Sequence, residues 1–209
     1  MAPADSLDPG KSSGYRHMTP HLLFVCVANR VRSTFAEFYL RDRFSKRGDH
    51  IAVSSAGFIP QVLKDRLAER NIPSPAPFYN RPMSELTMAT LLEKGINVPE
   101  GWRSKALTPE KIEEADLIIT ALPAQKEDLS SLYQRASERI FTIRDLSRMD
   151  ECLFSEDFSI LTFDENFWYH VEEDVEYVSR TLREWEGILN GAIPGIIEQL
   201  GNREEDKNE

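Results

Sequence analysis

The sequence predicts an α/β fold in which a four-stranded parallel sheet forms the middle of three layers, with helices on both faces. Apolar runs typical of buried parallel strands alternate along the chain with segments of helical periodicity. The chain has 209 residues, 41% of them hydrophobic and 29% charged, which fits one globular domain with a sizeable core. The first apolar run ends at a cysteine and leads through a short loop into a helical segment.

The first half of the chain is predicted to contain two strands and three helices. Residues 22–27 form a continuous apolar run, which favours a strand buried on both faces. Residues 33–44 place aromatic side chains among polar ones as an amphipathic helix does, and residues 51–55 are predicted as the second strand. A helix over residues 85–94 ends at Gly95, and the order Thr108-Pro109 is typical of the start of another helix.

The second half continues the alternation. Residues 117–122 and 140–143 are predicted as the third and fourth strands, with a helix over 127–135 between them. A long helix over 171–189 and a short one over 193–200 follow. One stripe of the long helix carries its apolar residues, namely Val175, Val178, Leu182, Trp185 and Leu189.

The domain organisation follows from composition. Residues 1–20 are polar with scattered apolar residues, so they are predicted to be disordered or an expression-derived remnant. Residues 21–200 are predicted as a single α/β domain, and residues 201–209 as a polar tail. Two connections are longer than the layout needs: a proline-rich excursion over 58–83 and an acidic, aromatic-rich stretch over 144–170. Both follow strand ends, where open α/β sheets bind their ligands.

A cysteine and an arginine are separated by five residues between the first strand and its helix. The backbone N–H groups of such a loop and the start of the helix attract an oxyanion, and the same field favours the thiolate of Cys26. The guanidinium of Arg32 can hold two phosphate oxygens at once, and Ser33 can donate to the sulfur and lie near the helix N-cap. The alternative is that Cys26 is a small buried hydrophobe at the end of a core strand.

Composition also excludes several classes of function. The formal net charge of −10 argues against nucleic acid as a partner. No apolar run is long enough to span a bilayer, and no secretory signal is visible at the N-terminus. Two cysteines, Cys26 and Cys152, cannot build a disulfide framework, so we expect a cytoplasmic protein with a reduced thiol. We expect no cofactor and no metal, and the sequence does not indicate the oligomeric state.

A set of motifs in order resembles one family. Cys26, Asn29, Arg32, Ser33 and the pair Ala36-Glu37 match the pattern Cys-x-Gly-Asn-x-x-Arg-Ser followed by a helix with Ala-Glu. The matching later segments are Ser55-Ala56-Gly57, Leu91 to Ile96, Arg103 to Thr108 and Ala115 to Ile119. From residue 21 to about residue 190, the chain therefore resembles the low-molecular-weight protein tyrosine phosphatases, whose fold is shared by one class of arsenate reductases.

The resemblance implies roles for individual residues. Cys26 would be the nucleophile that forms a cysteinyl phosphate, and Arg32 would stabilise the charge on the transferred group. The substrate phosphate would be bound by Val27, Ala28, Asn29, Arg30, Val31 and Ser33. The family's general acid is an aspartate in an Asp-Pro-aromatic segment. Asp164, before Glu165 and near two aromatics, is the candidate here, with Asp145 and Asp150 as alternatives; any of the three could be an ordinary solvated acid.

The chain also departs from the family pattern. Ala28 replaces a glycine, Trp102 replaces a supporting histidine, and proline is absent after Asp164. The residues after the third strand are Ala121-Leu122, where the family has methionine with an aspartate or threonine. Arg30 stands where a small or aliphatic residue usually faces the substrate, so we expect a preference for a substrate with a second anion. The alternative is that Arg30 points into solvent.

The sequence is compatible with three functions. The first is a phosphomonoester hydrolase of the protein tyrosine phosphatase type, acting on a phosphorylated protein or a small phosphomonoester. The second is arsenate reduction on the same scaffold. The thioredoxin-coupled form of that reaction needs further cysteines, which residues 83–122 do not contain, and Cys152 alone suits only a scheme with an external thiol. The third is a non-catalytic, oxyanion-binding regulatory module.

Overall fold

A computed structural model describes residues 19–69, 71, 79–147 and 175–206 of the chain. Its centre is one sheet of four strands, β1 (His21–Cys26), β2 (Ala52–Gly57), β3 (Leu117–Thr120) and β4 (Ile140–Thr142). The strand order is β2-β1-β3-β4 and every pairing is parallel. Because all four strands run the same way, their carboxyl ends lie at one edge of the sheet, and β1 brings Cys26 to that edge from a central position.

The helices occur between and after the strands. They are α1 (Arg32–Arg47), α2 (Gln61–Glu69), α3 (Glu85–Glu93), α4 (Pro109–Glu114), α5 (Pro123–Leu132), α6 (Ile143–Leu146) and α7 (Val175–Asp206), with a 3₁₀ helix at Gln134–Arg139. Thr108 caps α4 as its sequence predicts, since its side chain accepts a hydrogen bond from the Lys111 N–H. Within the described residues, no helix combines the length and the apolar character needed to cross a membrane.

Alternate residues of the strands pack into two cores on opposite faces of the sheet. On one face, Leu22 and Phe24 join a cluster with side chains of α1, α3, α6 and α7. On the other face, Leu23 and Val25 join a cluster that includes Ile112 of α4 and Leu129 of α5. This alternation is what a strand buried on both sides requires. The predicted fold class, three layers around a four-stranded parallel sheet, is confirmed.

The C-terminal region differs from the sequence prediction. The helices expected over 171–189 and 193–200 are one helix, α7, with Pro194 in its interior. Buried side chains on both sides of the proline hold the two halves in line against the core, which outweighs the lost backbone hydrogen bond. Gly195 allows close packing, because a Cβ there would lie 2.6 Å from the backbone oxygen of Leu146 in α6. The helix continues through Asp206, into the segment predicted as a polar tail.

The proline-rich excursion over 58–83 also contains structure that we did not predict. Residues 61–69 form α2, with Leu63 and Leu67 buried one turn apart against Ile59, Val27 and Leu122. The prolines around this segment hid the spacing of the two leucines, which is the helical signal. The predicted N-terminal segment lies outside the described residues up to residue 18, and so does most of the 144–170 connection.

Candidate active site

The cysteine loop (residues 26–33) joins the end of β1 to the start of α1. Asn29 adopts the left-handed conformation, with φ of 54°, which turns the chain tightly enough to enter the helix. The N-cap is Val31, whose side chain makes no capping hydrogen bond, and no acidic residue lies in the first turn of α1. The first N–H groups of a 16-residue helix therefore have no side-chain acceptor, which suits an anion at this position.

The two groups predicted to act on phosphate stand at the ends of this loop. Cys26 is 3% exposed, and its sulfur lies 2.9 Å from the Ser33 hydroxyl. Ser33 is the second residue of α1 rather than its cap, because the helix begins at Arg32. The Arg32 side chain is partly exposed, and within the described part of the chain no hydrogen bond or ion pair engages it. Its guanidinium is therefore available to an anionic ligand.

The side chain of Asn29 holds the loop in shape from inside. Its Nδ2, with two protons, lies within hydrogen-bond distance of three hydroxyl oxygens that share them, Ser55 at 2.7 Å, Ser33 at 3.0 Å and Thr34 at 3.3 Å. Its Oδ1 accepts the backbone N–H of Lys105 at 2.8 Å. One fully buried amide thus connects the loop to α1, to β2 and to the segment before α4.

Tyr79 covers the outer side of the loop. A Cβ on Gly57 would lie 2.4 Å from Cε1 of Tyr79 and 2.7 Å from the carbonyl oxygen of Val27, so only glycine leaves room for this contact. The Tyr79 hydroxyl lies 3.4 Å from the same carbonyl oxygen. Burial raises the pKa of Tyr79 well above its usual range, and an electrostatic contribution from Cys26 adds to the effect.

Arg30 is attached to the chain segment that follows Tyr79. Its Nε donates to the carbonyl oxygen of Pro82 at 2.8 Å, and its own carbonyl oxygen accepts the Ser84 N–H at 3.2 Å. The sequence predicts that the Arg30 side chain faces either the substrate or solvent. The structure adds a structural role, because Arg30 also connects the cysteine loop to residues 82–84.

Two of the departures from the family pattern have local explanations. Ala28 does not have a positive φ, so its methyl group causes no backbone strain in the loop. Trp102 packs its ring edge against Phe38 of α1, with ring centroids 6.4 Å apart. Its indole nitrogen is buried with no hydrogen-bond partner in the described structure, so Trp102 contributes packing and not a hydrogen bond to the loop.

Asp145, one alternative for the general acid, is committed to a helix cap. Its Oδ2 accepts the Thr142 N–H at 2.7 Å and the Lys126 ammonium at 2.8 Å, while the Thr142 hydroxyl accepts the Asp145 N–H. Burial alone would raise the pKa of Asp145, but the bonds from Lys126 and Thr142 outweigh it and hold that pKa below its ordinary value. A general acid at neutral pH needs the opposite shift.

The remaining predicted residues belong to parts of the chain that the structure does not describe. Asp164, Asp150 and Cys152 all lie outside the described residues. Across residues 19–69, 79–147 and 175–206, no cluster of three or more His, Cys, Asp or Glu side chains could hold a metal ion.

Three residues near the loop were missed as candidates. In the sequence, Ser55 and Glu37 stand out only as matches to the family's motifs, and Tyr79 lies within the excursion without any motif. A polar residue near the end of a buried strand and a carboxylate on the apolar side of a helix are both signals of an internal network. Nothing local in the sequence marks Tyr79, because its place depends on the path of the excursion.

The cysteine loop, the sheet and the helices have counterparts among known proteins. A family model described as low molecular weight phosphotyrosine protein phosphatase matches residues 21–74, which include β1, the cysteine loop, α1 and β2. The protein-arginine-phosphatase of Bacillus subtilis (strain 168) is 27% identical over 124 residues, which are 59% of this chain and 70% of that protein.

Two solved structures share the fold. A crystal structure of a YwlE mutant from Bacillus subtilis has a TM-score of 0.58 at 22% identity, covering 87% of this chain and 99% of that one. The low-molecular-weight protein tyrosine phosphatase from T. tengcongensis has a TM-score of 0.58 at 22% identity, covering 86% of this chain and 99% of that one.

The fold and the cysteine loop together define a cysteine-dependent phosphatase. Within that class, residues 21–74 match the low-molecular-weight protein tyrosine phosphatase family, and the chain resembles its members at low identity. The resemblance carried by Cys26, Asn29, Arg32 and Ser33 in the sequence is thereby confirmed.

Asp145→Asn is expected to lower the free energy of unfolding at pH 7 by about 0.5–1 kcal/mol, because it removes the charge that Lys126 and the cap stabilise. The pKa of Asp145 is lowered in the folded state, so this stabilisation is present at neutral pH and is lost as pH falls through and below about 4. Urea unfolding at several pH values measures the difference. Glu127→Gln, at an exposed carboxyl of α5, is the control, and an Asp145→Asn deficit that persists at pH 2.5 would contradict the assignment.

Proposed function

We propose that this protein hydrolyses phosphomonoesters through a cysteinyl-phosphate intermediate on Cys26. The observation that carries the proposal is the cysteine loop. At one end a buried sulfur contacts a hydroxyl, and at the other Arg32, which has no partner among the described residues, begins a helix whose N-cap side chain makes no capping bond. Phosphate can accept hydrogen bonds both from the first N–H groups of the helix and from a guanidinium that the described residues leave unpaired.

The reaction divides into two displacements. The Cys26 thiolate attacks phosphorus, an S–P bond forms, and the bond from phosphorus to the leaving oxygen breaks. A general acid protonates that oxygen as it leaves. Water then attacks phosphorus and gives a proton to the carboxylate that the general acid has become, the S–P bond breaks, and the thiolate and inorganic phosphate are released. Arg32 and the loop N–H groups hold the three equatorial oxygens in both steps, because the charge spreads over them in each transition state.

We assign the general acid to Asp164. One line of support is that the structure disfavours the alternative Asp145, whose pKa is lowered and whose carboxylate is bound to Lys126 and to the cap of α6. The other is resemblance, since Asp164 precedes aromatic residues in the connection between β4 and α7, as the family's acid does.

The substrate we propose is a phosphorylated protein side chain of the phosphotyrosine type, or a small phosphomonoester, with a second anionic group near the phosphate. The support is the position of Arg30, two residues before Arg32 and bonded to Pro82 at the rim of the loop. A second cation there attracts an anion and opposes a cationic group next to the phosphate. We place the reaction in the cytoplasm, because a thiolate nucleophile requires a reducing compartment.

Arg32→Lys is expected to lower kcat on an aryl phosphate by about a hundredfold or more, because an ammonium cannot replace two parallel hydrogen bonds to the transferred group. Steady-state kinetics with p-nitrophenyl phosphate measures the change. Cys26→Ser should abolish turnover, and Arg47→Lys, near the other end of α1, is the matched control that should leave it unchanged. Near-normal turnover in Arg32→Lys would overturn the assignment.

The same proposal predicts selective chemistry at the thiol. Iodoacetate at pH 6 should alkylate Cys26 far faster than Cys152, since the loop stabilises the thiolate, and inorganic phosphate should protect it. Peptide mapping of the labelled protein separates the two thiols. Equal labelling of both would mean that Cys26 is a core residue only.

Asp164→Asn is expected to slow the hydrolysis of an alkyl phosphate by roughly a hundredfold or more. Hydrolysis of p-nitrophenyl phosphate should hardly change, because only a poor leaving group needs the proton. The measurement is kcat/KM for both esters. Asp145→Asn is the matched control. It should lower kcat/KM equally for both esters or leave both values unchanged. If Asp145→Asn shows the leaving-group dependence and Asp164→Asn does not, the acid is Asp145.

Arg30→Ile is expected to raise kcat/KM on phosphotyrosine peptides about tenfold relative to substrates with a second anion, because it removes one charged contact to that anion. The ratio of kcat/KM values for the two substrate types measures it. Arg135→Ile is the control, since Arg135 lies on the 3₁₀ helix before β4, at the sheet edge opposite Cys26. An unchanged ratio would show that Arg30 does not contact the substrate.

A further inference from the structure

A carboxylate is buried in the interior of α1, behind the cysteine loop. Glu37 is 4% exposed, although acidic side chains are rarely buried unless paired. Its Oε1 forms an ion pair with Nη2 of Arg41 at 2.8 Å, and its Oε2 accepts a hydrogen bond from the Ser55 hydroxyl. Each oxygen therefore has a specific partner.

Arg41 is the cation in contact with this carboxylate. Its side chain is 45% exposed, and its Nε donates to the carbonyl oxygen of Val53 in β2 at 2.8 Å, which fixes the guanidinium between helix and strand. Lys111 of α4 also interacts electrostatically with Glu37. Burial and the charge of Lys105 lower the pKa of Lys111, and the charge of Glu37 opposes that shift only in part. Within the described residues, the direct ion pair is with Arg41 alone.

The ionised carboxylate fixes the direction of the hydrogen bonds that follow. A hydroxyl has one proton, so Ser55, which donates to Glu37, can only accept from Nδ2 of Asn29. Thr34 donates its proton to the backbone oxygen of Asn29 at 2.8 Å and also accepts from Nδ2. The Lys105 N–H occupies Oδ1 of the same amide. The amide of Asn29 therefore has one satisfactory orientation.

This orientation determines where the proton of Ser33 goes. Its hydroxyl oxygen accepts from Asn29 Nδ2 at 3.0 Å, so the hydroxyl proton is free to donate. The Cys26 sulfur is 2.9 Å away, and the competing acceptor, the carbonyl oxygen of Ala56, is at 3.5 Å. The chain of hydrogen bonds from Arg41 thus ends with a hydroxyl that donates to the sulfur, which stabilises a thiolate.

We propose that Arg41 is a positioning residue for the Cys26 chemistry: it keeps the buried Glu37 carboxylate ionised, and so directs the Ser33 hydroxyl toward the sulfur. The inference rests on the proposed function for its catalytic consequence, but its effect on the thiolate does not depend on phosphatase activity. Without the guanidinium, a buried Glu37 favours its neutral form, which can donate to Ser55. The hydrogen bonds from Ser55 to Asn29 and Ser33 then no longer have fixed directions.

Arg41→Met tests the role, because methionine keeps an apolar stem against Phe38 and removes the charge. We expect the rate of Cys26 alkylation by iodoacetamide at fixed pH, and kcat on p-nitrophenyl phosphate, each to fall roughly tenfold with KM nearly unchanged. Arg41→Lys should restore much of both. Arg47→Met is the matched control, an exposed arginine of the same helix whose ion pair is with Asp49 and does not include Glu37.

A double-mutant cycle separates positioning from simple stabilisation. In a Glu37→Gln background the carboxylate is already neutral, so adding Arg41→Met should cause no further loss of alkylation rate or kcat. A further tenfold loss would overturn the proposal, as would an Arg41→Met protein that unfolds more easily but reacts at the wild-type rate. A wild-type protein without phosphatase activity whose alkylation still depends on Arg41 would refute the proposed function and leave this inference standing.

Discussion

The amide of Asn29 is the point at which the cysteine loop, α1, β2 and the segment before α4 are held together. Its backbone makes the left-handed turn, and its side chain fills the space inside that turn with hydrogen bonds to three hydroxyls and one backbone N–H. An apolar residue at this position would leave several buried groups unpaired at once, each at a cost of about 1–3 kcal/mol. The loop keeps its shape because the polar groups of the Asn29 amide inside it all have hydrogen-bond partners.

An acidic protein that binds an anion must do so by local fields. The net charge is −10, yet the first turn of α1 contains no acidic residue, and two arginines lie in or next to the loop. Because charges further away than a Debye length of about 8 Å are largely screened in physiological salt, the nearby dipoles and guanidinium groups decide the outcome. The global charge therefore opposes non-specific polyanions without preventing the binding of a single phosphate.

The parts of the structure that follow from sequence are those governed by local patterns. The apolar runs identified all four strands to within about two residues, and the spacing from Cys26 to Arg32 identified the loop. The single helix α7 was not predicted, because Pro194 is an interruption locally and its tolerance depends on packing against α6. Likewise, Asp145 could not be set apart from Asp164 by sequence, because the cap that occupies it exists only once β4 and α6 are formed.

The position of β1 also determines how the protein loses its function. This strand pairs with β2 along six residues and with β3 along four, and both of its faces are buried. Fraying from the edge of the sheet therefore removes β2 or β4 before the strand that carries Cys26. Opening of β2 removes the Ser55 hydroxyl that accepts from Asn29, whereas opening of β4 leaves that contact in place. The two edges of the sheet are therefore not equivalent: local unfolding at the β2 edge disturbs the cysteine loop while β1 is still folded, and local unfolding at the β4 edge does not.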